Sequence, residues 1–137
     1  MLLELTITKI KELFPDLHLE INKEDSSITI PAKMKEIGDL VIVDDKVELT
    51  VYIGSLAHCH FSCYEANYSE PQKQGYIVES VIEFLNDLFN NEIVVWNDNE
   101  SSGGFYYIEG NEGEQYTPIE DPLDNPKVER YTWSQRL

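Results

Sequence analysis

Glu79, Glu83 and Asp87 recur at every fourth position, a spacing that lines three carboxylates along one face of a helix. Like charges so placed cost about 0.2–0.5 kcal/mol per pair, and no neighbouring base offsets them. From Gln74 to Pro126 the chain has no Lys, Arg or His, while twelve Asp or Glu side chains fall in the same stretch. Interspersed charge suffices for solubility, so a one-signed field of this length points to steering toward a basic partner or to cation binding. The competing reading of the stripe is the solvated face of an amphipathic helix.

A second cluster, His58-Cys59-His60-Phe61-Ser62-Cys63, holds four side chains of zinc-ligand type. Strand alternation divides them, with His58, His60 and Ser62 on one face and Cys59, Phe61 and Cys63 on the other, so the four cannot close one tetrahedron without a bend. Cysteine beside Phe61 is expected in the core. Four residues of extended strand span about 13 Å, far beyond disulfide reach, so two reduced thiols are expected. His58 and His60 remain as a pair that could chelate a metal or hold a small molecule.

The stretch from Asp98 to Glu109 matches a calcium loop at its first acid, its sixth-position Gly103 and its twelfth-position Glu109. Its flanks read as extended chain, whereas an EF-hand needs a helix on each side, so an ordinary hairpin loop with exposed acids is expected. Aromatics crowd the acidic half: Tyr76, Trp96, Phe105, Tyr106, Tyr107, Tyr116, Tyr131 and Trp133. Rings among carboxylates suit a surface on which rings anchor and acids steer a cationic protein. The expected partner-facing set is therefore Glu79, Glu83, Asp87, Trp96, Asp98, Glu100, Tyr106, Glu109 and Tyr116.

These residues need elements to position them. Leu2, Leu5 or Thr6, Lys9 or Ile10, and Leu13 fall at helical spacing, and Pro15 stops any continuation. Alternation over Leu17 to Asn22 and Ser27 to Ile30, with Lys23 to Ser26 between, predicts a hairpin. A second hairpin runs from Leu40 to Val43 and from Val47 to Ile53 around Asp44-Asp45, and a fifth strand covers Ala57 to Tyr64. Ile77, Val78, Val81, Ile82, Leu85, Leu88 and Phe89 form a broad stripe of 3.6 periodicity. Ser69-Glu70-Pro71-Gln72 supplies a capping box at its start and Asn90-Asn91 a stop. Glu92 to Trp96, Phe105 to Ile108 and Val128 to Trp133 read as further strands. Residues 110–127, acidic and holding Pro118, Pro122 and Pro126, read as a loop. The expected fold is one α+β domain over residues 1–137. It has a mainly antiparallel sheet of about six to eight strands, a short N-terminal helix, and one long helix packed on one face.

Composition narrows the function. The 137 residues carry a formal charge of −16, with eleven acids against six bases in residues 1–64 and fifteen against four in residues 65–137. Direct binding to nucleic acid or to an anionic membrane is disfavoured, because both depend on clustered Lys and Arg. The start Met1-Leu2-Leu3-Glu4 lacks the basic and apolar regions of a signal peptide, and no run approaches the ~18 apolar residues of a membrane span. A cytoplasmic location is expected. The acidic surface works against self-association, although edge-strand dimerisation stays open.

The base-free run, the stripe Glu79, Glu83 and Asp87, and the tail Tyr131-Thr132-Trp133-Ser134 together give a resemblance. In composition and layout the chain resembles the small acidic α+β immunity proteins of bacterial toxin systems. That resemblance implies a protein without enzymatic activity or cofactor that covers the active site of a basic toxin or nuclease. Two other readings compete: a metal- or small-molecule-binding domain built on His58 and His60, and a DNA mimic whose carboxylates imitate phosphates.

Overall fold

A computed structural model describes residues 2–98, 103–108 and 128–137. Period-two patterning builds its first sheet, a meander of β1 (Glu20–Asn22), β2 (Ser27–Ile30), β3 (Leu40–Asp44), β4 (Leu49–Ile53) and β5 (Ala57–Phe61), each antiparallel to its chain neighbour. Cross-strand partners Ile28, Ile42, Val51 and Cys59 share one face with Ile30, Leu40, Ile53 and Ala57. The Ile, Leu and Val side chains of this face are buried in a single apolar cluster. Val47, expected to begin the fourth strand, lies outside β4 and is 74% exposed. Leu17 and Leu19 pack against the core, but only residues 20–22 pair, along the sheet's outer edge.

Helix α1 (Leu2–Leu13) places Leu2, Leu3, Thr6 and Ile10 in the same cluster region, while Leu5 and Leu13 stay exposed. Its first turn is held from far along the chain. The Leu3 amide donates to Asp44 Oδ2 at 3.0 Å, so a carboxylate at the end of β3 satisfies a free helix N–H and opposes the positive end of the helix dipole. Helix α2 (Glu70–Phe89) buries Ile77, Val78, Val81, Phe84, Leu85 and Leu88. Both helices contribute to the one core cluster and touch strands of the first sheet.

The sheet count differs from the expectation. Instead of one sheet of six to eight strands, the described residues form two antiparallel sheets, of five and four strands. The second comprises β6 (Ile93–Asn97), β7 (Gly103–Tyr107), β8 (Glu129–Thr132) and β9 (Gln135–Arg136) in the order β7-β6-β8-β9. The two sheets meet along a seam between β5 and β7. Phe84 of α2 stands edge-on to Phe61 of β5 at 5.5 Å and to Phe105 of β7 at 5.4 Å, so one ring of the helix packs on a ring from each sheet. Gly103 lies so close to the Leu56 carbonyl that any side chain there would collide with it, which draws the start of β7 against the turn before β5. Asn91, with φ of 62°, leaves α2 and accepts from both the amide and the hydroxyl of Ser134, at 3.1 and 2.9 Å. That contact ties the helix end to the turn between β8 and β9. No helix among the described residues is long and apolar enough to cross a membrane.

Candidate functional site

The helix that carries the acidic stripe begins at a reciprocal cap. Gln72 N–H donates to Ser69 Oγ at 3.3 Å, and Ser69 N–H donates to Gln72 Oε1 at 2.8 Å, with Pro71 in the first turn. A helix advances about 100° per residue, so each fourth position drifts about 40° around the axis. Glu79 and Glu83 are therefore exposed, whereas Asp87 has turned toward β7 and is half-buried. There it meets Tyr107. The Tyr107 phenol is pushed up to about 12, first by burial, then by the Asp87 charge and its hydrogen bond to Asp87, with smaller contributions from Cys59 and Glu83. The phenol stays protonated, donates to the carboxylate, and fixes the inner end of the stripe.

Among the described residues none of the three carboxylates makes an ion pair, and the last turn of α2 carries no base. Beside them runs a groove of about 410 Å³ between the helices, lined by Lys9, Leu13 and Phe14 on one side and Glu79, Ile82, Glu83 and Asn86 on the other. Its Lys9 lies 4.0 Å from Glu12 on its own helix. Tyr76 is exposed on the acidic face of α2, with Tyr68 against it at 6.4 Å between ring centroids, and Tyr64 is 91% exposed just before them.

The rings expected to face a partner are distributed differently. Trp96 is 5% exposed and Val94 beside it 2%, because β6 is covered on both faces. Its burial withdraws Trp96 from any partner surface. Its Nε1 has no hydrogen-bond partner among the described residues. Tyr131 and Trp133 of the tail belong to the core, where Trp133 packs on Phe89 at 5.5 Å. Tyr106 is half-buried opposite Val94, and Asp98 is half-buried just past the end of β6. Glu100, Glu109, Tyr116 and the loop 110–127 lie outside the described residues. The stretch from Asp98 to Glu109 follows β6 and itself contains β7, and the two strands pair antiparallel, so its setting is that of a hairpin and not of a helix–loop–helix. Sequence reasoning missed Tyr64 and Tyr68. The fifth strand, expected to reach Tyr64, ends at Phe61, and the polar run Tyr64-Glu65-Ala66-Asn67-Tyr68 beyond it has no periodicity that could bury either ring.

The second site lies on the other face of the first sheet. Register places His58 beside Tyr52 and His60 beside Thr50, all pointing away from the helices. Tyr52 and His58 ring centroids are 5.7 Å apart, and His58 and His60 5.1 Å. His60 Nδ1 lies 2.9 Å from both Glu48 Oε2 and Thr50 Oγ1. A carboxylate only accepts, so Nδ1 carries the proton in that contact and Nε2 is left for other work. Tyr52, His58 and His60 open onto a cavity of about 700 Å³ completed by residues 54–57, Cys59 and Gly103 to Phe105, along the seam between the sheets. Burial pushes the Cys59 thiol up, which disfavours its thiolate form.

No family model matches the chain, and neither a curated protein nor a solved structure is detectably similar to it. Among the described residues no group of three or more His, Cys, Asp or Glu could hold a metal ion. Any ion at the histidine pair would have to take its remaining ligands from water or from another molecule.

Proposed function

We propose that this protein is a non-enzymatic binding protein that covers a basic partner protein, in the manner of a toxin or nuclease inhibitor, through the exposed face of α2. The observation that carries the reading is the composition of that face. Glu79 and Glu83 stand in solvent without ion pairs among the described residues, Tyr76 and Tyr68 flank them, and the groove alongside has an apolar floor of Leu13, Phe14 and Ile82. Carboxylates raise the rate of encounter with a cationic surface, and desolvated rings and aliphatics slow dissociation. The anchoring rings belong to α2 and the segment before it rather than to the tail of the chain. A bacterial cytoplasmic setting accords with this role.

The test is capture from host lysate at low salt, followed by kinetics on the captured basic protein. Wild type should associate at least about tenfold more slowly at high than at low salt. The triple variant Glu79→Gln, Glu83→Gln, Asp87→Asn should lose most of that dependence and much of the affinity. An association rate indifferent to salt, or a variant equal to wild type, sinks the reading. Displacement of the captured protein by duplex DNA would identify a DNA mimic.

A further inference from the structure

We propose that His58 and His60 form a two-imidazole clamp for a zinc-like divalent ion at the mouth of the seam cavity, distinct from the α2 surface and independent of its role. The two side chains leave one strand on the same face, two residues apart, which is the spacing that lets neighbouring imidazoles reach a common point. Their separation fits. Zinc bound to two imidazole nitrogens at about 2.0–2.1 Å with tetrahedral angles puts the ring centroids about 5 Å apart. The observed distance is 5.1 Å.

His60 also has the supporting contact that a metal-binding histidine needs. Glu48 accepts a hydrogen bond from Nδ1 at 2.9 Å, which sets the tautomer and leaves Nε2 as the metal-facing nitrogen. Thr50 Oγ1, also at 2.9 Å from Nδ1, is a second acceptor for that same N–H. His58 is oriented by its ring contacts with Tyr52 and His60, and no hydrogen bond fixes it among the described residues, so it can turn to meet the ion. Imidazole pairs select zinc-class ions over calcium or magnesium, which favour oxygen. Among the described residues no Lys, Arg, Asp or Glu lines the cavity onto which the ion's two remaining positions would open. Those positions suit water or a ligand bearing a nitrogen or oxygen donor.

Titration of the full chain with zinc chloride, read by calorimetry and by the histidine ring resonances, decides the matter, with calcium chloride as the hard-ion control. One zinc per chain should bind and shift the His58 and His60 signals together. His58→Gln and His60→Gln should each weaken binding at least about tenfold, and Glu48→Gln should weaken it about tenfold with both imidazoles intact. Cys59→Ser should leave it unchanged. Absence of zinc binding, zinc binding indifferent to both histidine substitutions, or equal displacement by calcium overturns the proposal. The triple variant of α2 should bind zinc as wild type does, so the clamp and the partner surface fail or stand separately.

Discussion

Tyr107 and Asp87 show how one contact couples a core phenol to a surface charge. Desolvation and the neighbouring carboxylate both disfavour phenolate, which lifts Tyr107 to about 12 from its ordinary 10. Asp87→Asn removes the charge while retaining a side chain that can accept the phenol proton, so Tyr107 should ionise at lower pH. An alkaline absorbance titration measures the change, and an unaltered Tyr107 transition in the variant would contradict the contact. The sign for stability follows from linkage. An unfolded chain releases the phenol proton near 10 while the folded one keeps it to about 12, so Tyr107 contributes fully below 10 and its contribution is lost as pH rises through that window. Tyr131, also at about 12 through burial and a 2.6 Å hydrogen bond to Glu129, adds to the same alkaline weakness. The shared face of His58 and His60 was legible from alternation alone. Glu48 as the partner of His60 was not, because it depends on which residues the register sets side by side. The exposure expected for Trp96 overlooked a signal present in the chain: Ile93-Val94-Val95-Trp96 is a continuous apolar run, the mark of a strand covered on both faces.

Among the elements, α2 does two jobs at once, presenting acids outward and packing on both sheets inward. Phe84 performs the second, between Phe61 and Phe105. Phe84→Ala should destabilise the protein by about 3–5 kcal/mol, the usual cost of emptying a buried phenylalanine site, measured by denaturant unfolding. A loss below about 1 kcal/mol would show that the seam closes without the ring. The helix was the most legible element, since its periodic stripe, its Ser69–Gln72 capping box and its asparagine stop are all local signals. Strand positions were also legible, but the partition into two sheets was not. Pairing partners are chosen by packing across the molecule, and neither β5 nor β7 carries a mark that says the two will not pair with each other. The first-turn contact of α1 with Asp44 was invisible for the same reason, as it joins residues 41 apart in the chain.

For the whole molecule, the sequence made the charge plain but not where it would matter. The acids are spread along the chain, and only the fold decides that Glu79 and Glu83 border an apolar groove while the tail's rings go inside. Topology has a kinetic consequence as well. Every ladder of the first sheet joins consecutive strands, so its loops close over short stretches and its contact order is low. The pairing of β6 with β8 skips β7 and brings residue 97 against residue 129, a longer closure with a larger entropic cost. The C-terminal hairpin should therefore dock last during folding and open first in the native state. Native-state hydrogen exchange should find β8 and β9 amides released at lower free energy than those of β2 to β4, and uniform protection across both sheets would refute that order. Because Trp133 packs on Phe89 and Ser134 bonds to Asn91, each such opening would strip the C-terminal end of α2 of its cover. The inward end of the acidic stripe is thus built on the part of the fold that completes last.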